Sequence, residues 1–235
     1  MRLSSVLWPL FFLSHWLLCG FIAWHLFAKV DFAYPLAYQA LNIEEHIQTY
    51  GPQNRYRDGF ANTDEAQHLR LFAEINQAIH QDPAALADIT YTTEAGSAEL
   101  LLRRDEVIHL QDVARLVEGV YTLGWACLAL SLLSVLILHF RRSPLPRARN
   151  IIAVFTGVIS LACISVLLIG PKKVFYTLHT WVFPPDHPWF FYYQDSLMTT
   201  LMKAPDLFGF IAVLLLLLWM ALWGISLPIL VRLWR

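Results

Sequence analysis

Four long apolar runs organise the chain, at residues 6–28, 120–140, 151–169 and 207–230. Each is close to the roughly 20 residues a helix needs to cross a bilayer. The polar positions between them fall into three loops of unequal size. Residues 29–104 make a long first loop, 141–150 a short turn, and 170–206 a segment crowded with aromatic side chains. The pattern predicts an all-α membrane protein with four transmembrane helices and a small cap on one face. By segment, 1–28 is the first transmembrane helix, 29–104 the cap loop, 105–140 the second helix with an extension, and 141–150 the turn. Residues 151–169 are the third helix, 170–206 the aromatic interfacial loop, and 207–235 the fourth helix with the C-terminus.

Inside the cap loop, residues 35–50 mix apolar side chains with Glu44, Glu45 and His46, which suits a helix lying on the membrane. The segment from Gly51 to Gly59 is rich in turn formers and breaks it. An amphipathic helix follows. Asn62 or Thr63 can cap it, Asp64 and Glu65 suit its first turn, and Leu69, Phe72, Ile75 and Ile79 form its apolar stripe. Asp82 and Pro83 end it. Residues 89–93 and 98–102, separated by a Gly96 turn, read as a short β-hairpin. A cap of this size is not expected to fold alone.

The second helix brings the chemistry. Glu106, His109 and Asp112 recur every third residue, so they share a polar strip. Leu110, Val113, Leu116 and Val117 fall on another side. The bland reading is a solvated turn just outside the bilayer. With a straight helix, His109 stands roughly 15 Å beyond the apolar run. His179 follows the third apolar run by a similar distance, so if Pro171 only bends that helix the two histidines reach similar depth. Trp181, Phe183 and Trp189 lie in the aromatic belt expected at a membrane–water interface.

Charge orients this arrangement. The turn carries Arg141, Arg142, Arg147 and Arg149 without an acid, which marks it as cytoplasmic. Arg2, Arg232 and Arg235 then lie on the same side, so both termini are cytoplasmic. All 18 acidic residues fall between Asp31 and Asp206, in the two loops assigned outside and in the extension of the second helix. The first run lacks a small-residue cleavage site and reads as a retained helix rather than a signal peptide. Cys19, Cys127 and Cys163 all sit in apolar runs, so the cap carries no disulfide and the chain does not suit a membrane thiol oxidant.

Two histidines with carboxylates nearby, Asp112 beside one and Asp195 after the other, suit general acid–base work near neutral pH. A carboxylate can hold an imidazole in one tautomer. No serine or cysteine is placed as an activated nucleophile. The same four residues are zinc-ligand types, but they lack the spacing of a strong metal site, so no metal or other cofactor is expected. Haem fits poorly, since His139 is at the inner end, His109 lies well outside, and His15 and His25 share one helix. His15, within the first membrane run, is a functional suspect by its depth. Three readings stand: an acid–base enzyme, a metal-dependent membrane hydrolase, or a non-enzymatic protein binding lipid or an assembly partner.

Glu106, His109, Leu110, Asp112 and Val113 stand at the spacing Glu-x-x-His-Leu-x-Asp-Val, which resembles the signature of the bacterial lipoprotein intramolecular transacylases. The second family segment, a histidine followed by aromatics, a tryptophan and an aspartate, is matched by His179, Trp181, Phe183, Trp189 and Asp195, with Pro205 and Phe208 at the entry to the last helix. The resemblance implies movement of one ester-linked acyl chain within a diacylglyceryl-cysteine lipoprotein. The chain would pass from the glycerol to the α-amine of the first cysteine, leaving a lyso form. It implies His109 as principal base and His179 as its partner, with the division open to reversal. Asp112 and Asp195 would orient them, and Glu106, Trp181, Phe183 and Trp189 would shape the site. Donor and acceptor in one molecule need no covalent enzyme intermediate. The expected partners are the lipoprotein and membrane lipids, not nucleic acid, and the expected place is the bacterial cytoplasmic membrane with the site on its outer face.

Overall fold

The computed structural model describes residues 4–234. Arg2 and Arg235, which enter the topology argument, lie outside the described residues. In chain order the elements are α1 (Ser4–Ala28), α2 (Tyr34–Ala40), α3 (Ile43–Tyr50), α4 (Glu65–Gln81), β1 (Thr90–Thr92), β2 (Ala98–Leu100) and α5 (Arg104–Phe140). They continue with α6 (Ala148–Ile169), α7 (Pro171–Val182), α8 (Leu197–Met202) and α9 (Asp206–Leu233). Among the described residues, four helices are long and apolar enough to span a membrane: α1, α5, α6 and α9. The protein is therefore an all-helical membrane protein carrying one two-stranded hairpin, paired antiparallel as Thr90 to Leu100, Tyr91 to Glu99 and Thr92 to Ala98.

The chain divides into two compact units. One comprises Met1–Leu26, Val120–Val174 and Val213–Arg235. Its centre is aromatic: Trp8, Phe11 and Phe12 of α1 cluster with Leu138 of α5 and Trp223 and Leu227 of α9. In lipid, helices gain little from the hydrophobic effect and associate through close packing and hydrogen bonds. Both devices are present. A side chain at Gly124 would meet the Phe21 ring at 2.3 Å, and one at Gly20 would meet Trp219 at 2.6 Å, so glycine lets these rings sit against backbone. Trp219 donates to the Trp16 carbonyl at 2.6 Å, and the Ser14 and Ser131 hydroxyls lie 2.9 Å apart. His15 Nε2 meets Ser226 Oγ at 2.8 Å. The Ser226 hydroxyl donates to the Trp223 carbonyl, so it accepts from His15. That satisfies the membrane histidine as a helix-to-helix tie.

The other unit comprises Phe27–Gly119 and Phe175–Ala212. The cap loop does not supply this core by itself. Tyr34, Ile43, Ile47, Leu71, Ile75 and Tyr91 pack with Leu197 and Leu201 of α8, from the second loop. Tyr34 stacks on Phe72 with 3.9 Å between centroids and donates to the Leu201 carbonyl at 2.7 Å. Residues 35–50, expected to include a helix on the membrane, form the helices α2 and α3, which turn Tyr38, Ile43, His46 and Ile47 into this core. Asp64, expected in the first turn of α4, is its N-cap and accepts from Gln67 N–H at 2.8 Å. The buried face of α4 is set by His68, Leu71, Phe72, Ile75 and Asn76, with Leu69 and Ile79 only partly covered. Gly170, at φ 95°, separates α6 from α7, so Pro171 starts a new helix rather than bending the old one.

Candidate active site

The strip Glu106, His109 and Asp112 lies on α5 as its spacing predicts, but it is not a solvated turn. The three residues are 0%, 8% and 4% exposed, whereas Leu116, expected on the apolar side, is 43% exposed. Helix α5 turns its polar strip into the core and an apolar residue out. Burying polar groups is costly unless each is paired, so their partners define the site.

Glu106 is structural in its contacts. Its carboxylate accepts from the Ser196 hydroxyl at 2.5 Å and from the Arg103 backbone N–H at 2.6 Å. Ser196 Oγ in turn accepts from Thr199 N–H and caps α8. One carboxylate thus ties the start of α5 to the start of α8.

His109 and His179 come together. Their ring centroids are 6.2 Å apart with planes 33° from parallel. Aromatic rings enclose them. Phe183 lies 4.7 Å from His109 and 5.2 Å from His179, Phe191 lies 6.0 Å from His109, and Trp189 lies 5.1 Å from His179. Phe175 also packs on the His179 ring, at 4.0 Å. Trp181, grouped with these residues on sequence grounds, is 79% exposed.

The tautomer of His179 follows from its partner. Its Nδ1 is 2.8 Å from the Phe175 carbonyl one turn back. A carbonyl only accepts, so Nδ1 carries the proton and Nε2 keeps a free lone pair. Burial holds this imidazole below the ordinary histidine range, against the carbonyl hydrogen bond, which favours the charged form. His109 Nδ1 is buried and has no protein hydrogen-bond partner. The pair therefore offers one defined proton acceptor and one unpaired ring nitrogen in an apolar enclosure.

The two aspartates do not sit where an orienting role would put them. The carboxylate of Asp112 binds Arg115 through Oδ1 and His187 Nδ1 through Oδ2, the latter at 2.7 Å. Asp195 pairs with Arg55 of the cap at 3.1 Å on a partly exposed surface. Phe175 thus performs for His179 the task assigned to Asp195. His187, Arg115, Ser196, Phe175 and Phe191 are the residues that the sequence reading left out. Only His187 carried a usable signal, a histidine between Pro185 and Pro188 in the same aromatic segment. No cluster of three or more potential metal ligands occurs among the described residues.

Four helices long and apolar enough to span a membrane, with two facing histidines walled by aromatic rings, describe a multi-pass membrane protein. Residues 7–204 match the family model described as lipoprotein intramolecular transacylase Lit. The chain belongs to that family, whose members are acyltransferases integral to the membrane. Among solved structures, it is similar to the membrane-integral lipoprotein intramolecular transacylase Lit from Bacillus cereus, with a TM-score of 0.65 at 16% identity over 98% of this chain and 96% of that one. A histidine-to-arginine variant of the Bacillus cereus protein gives a TM-score of 0.62 at 15% identity, over 94% of this chain and 89% of that one. No curated protein sequence matches the chain.

Proposed function

We propose that this enzyme moves an ester-linked acyl chain within a diacylglyceryl-cysteine lipoprotein, from the glycerol oxygen to the α-amine of the N-terminal cysteine. The observation that carries the reading is the 6.2 Å approach of His109 and His179 inside an aromatic enclosure. The amine nitrogen attacks the ester carbonyl, forming a C–N bond and a tetrahedral centre. Collapse of that centre breaks the bond between carbonyl carbon and glycerol oxygen. One proton leaves the amine and one is returned to the glycerol oxygen, so the protein ends as it began.

A neutral imidazole suits the first transfer, and His179 Nε2, with its lone pair fixed by the Phe175 bond, takes the amine proton. His109, facing it, receives that proton and delivers it to the leaving glycerol oxygen, so both rings end neutral as they began. This reverses the sequence-based division of labour, for the reason that only His179 has its tautomer set by a protein acceptor. The histidines need no nucleophilic side chain between them, because amine and ester are already held in one molecule. The apolar walls suit acyl chains and exclude water, which would otherwise intercept the carbonyl.

The membrane orientation belongs to the same proposal. The basic turn carrying Arg141, Arg142, Arg147 and Arg149 faces the cytoplasm, and the end of α5 that bears His109 faces outward. The segment boundaries that follow from this orientation, including 29–104 and 170–206 as outer segments, are part of it. The test uses purified enzyme in proteoliposomes with a synthetic diacylglyceryl-cysteine lipopeptide, followed by tandem mass spectrometry. Transfer gives a product of unchanged mass whose fragments place one acyl group on nitrogen. Release of free fatty acid with loss of that mass would show a hydrolase and overturn the proposal.

A further inference from the structure

We infer that His187 and Asp112 form a latch that positions the aromatic wall around the histidine pair, rather than part of the proton-transfer machinery. The inference rests on the reading that His109 and His179 carry the transfer. Asp112 is 4% exposed and lies one helical turn beyond His109 on α5. Its Oδ2 accepts from His187 Nδ1 at 2.7 Å, and its Oδ1 takes the Arg115 guanidinium. Asp112 thus has both oxygens engaged by other side chains, and its position beside His109 serves another element.

That element is the irregular segment after α7. His187 stands four residues after Phe183, two before Trp189 and four before Phe191. These three rings contact His109 or His179. The segment has little internal structure to hold it: Pro184, Pro185 and Pro188 have no backbone N–H to donate, and residues 188–192 are neither helix nor strand. One local backbone bond, His187 N–H to the Pro184 carbonyl at 3.1 Å, shapes the turn without fixing it to α5. A charge-assisted bond to a nearly buried carboxylate at the middle of the segment does fix it. Arg115 keeps the Asp112 charge compensated, so the latch can open without leaving that carboxylate alone. The His187 side chain is 31% exposed, so it meets solvent as well as Asp112.

Amide replacements separate the latch from a proton-transfer role. Asparagine places an N–H near the position of Nδ1 and has no basic nitrogen. Glutamine places its N–H near the position of Nε2 and loses the Asp112 contact at similar volume. His187→Ala, His187→Asn and His187→Gln are compared in proteoliposomes by transfer kinetics and by hydrogen–deuterium exchange of peptides covering residues 183–193. The latch predicts faster exchange in the Ala and Gln variants, with a kcat lower by about tenfold, the scale of a slightly misplaced catalytic group. The Asn variant restores both. Should the Ala protein not accumulate in folded form, the Gln and Asn pair decides alone. An Asn variant as inactive as Ala, with wild-type exchange, would make His187 a proton-transfer residue and overturn the latch. Unchanged exchange in both Ala and Gln would overturn it as well. The exchange data stand apart from the proposed reaction, whose own failure would appear as transfer surviving in His109→Ala and His179→Ala proteins.

Discussion

Replacing either histidine of the pair tests whether the two act as one unit. General acid–base catalysis is worth about 10²–10⁴-fold, so His109→Ala and His179→Ala should each lower transfer by that amount. At 25 °C this is about 3–5 kcal/mol of transition-state stabilisation. The structure gives a way to separate chemistry from packing. His109 is 8% exposed and packs on Phe183 at 4.7 Å, so alanine there also leaves a cavity. His109→Gln keeps most of the volume and should lose as much rate with a smaller fall in melting temperature. His179 is less buried, and its alanine variant should melt close to wild type. If one histidine takes a proton and the other returns it to the same tetrahedral centre, their effects are not independent. The double variant should then be about as slow as the worse single one. The assay is conversion of a synthetic diacylglyceryl lipopeptide to the N-acyl isomer, quantified by mass spectrometry alongside thermal unfolding in detergent. Either single variant within about threefold of wild type would refute the reasoning, as would a double variant slowed by the product of the two single factors, which marks independent actions.

The pH profile gives a second check. The substrate amine, with a pKa near about 8, imposes a slope of one on log kcat/KM below that pH. A second unit of slope should begin only below the ordinary histidine value of 6.5, because burial favours neutral His179 and keeps it a base at lower pH. A break at or above 6.5 would show a base that is neither buried nor depressed. Glu106→Ala should destabilise the protein by about 3–5 kcal/mol, since it removes one member of a fully buried, hydrogen-bonded network. Thermal unfolding of the purified protein measures this, and a loss under about 0.5 kcal/mol would place the network outside the stabilising core. The cap should weaken on acidification. His46 and His68 are pushed down to about 4, chiefly by burial, so they stay neutral when folded and protonate when unfolded. Above 6.5 neither state binds the extra protons, and full stability is present; as pH falls from 6.5 toward 4 it declines by about 1.4 kcal/mol per unit for each group, then levels off. Proteolysis of the cap between pH 7 and pH 4 should show this decline. His68→Gln should roughly halve it, and an unchanged slope in that variant would remove His68 from the account.

Much of the fold was legible because lipid imposes a simple code. Runs such as 120–140 and 207–230 have few uses besides spanning a bilayer, and α5 and α9 cover them. The hairpin was legible too, from β-formers either side of Gly96, although its paired part is shorter than the runs suggested. The cap core was not. Tyr34, Ile47 and Leu71 find their partners in Leu197 and Leu201, 126 to 167 positions away in sequence, and no local period reports such a meeting. An isolated amphipathic pattern states that a face will be covered, not by what. Hence the pattern of residues 35–50 gave the helices but not the residues from the second loop that cover Tyr38, Ile43 and Ile47.

The site shows where spacing stops being informative. Three-residue steps put Glu106, His109 and Asp112 on one strip of α5, and that held. Sharing a strip does not make neighbours partners. A carboxylate one turn from an imidazole can reach the imidazole, another side chain on its helix, or an element arriving from elsewhere, and burial decides among these by requiring that every buried charge be met. Asp112 is met by Arg115 from its own helix and by His187 from the aromatic segment. That leaves His109 Nδ1 without a protein partner. For His179 the orienting group is the Phe175 carbonyl, a backbone atom with no signature in any sequence. A backbone acceptor fixes the tautomer as a carboxylate would, yet adds no full negative charge that would hold the ring protonated in an apolar enclosure. In the proposed reaction, a base that must be neutral before it accepts the proton of an amine is better served by that carbonyl than by the aspartate the sequence suggested.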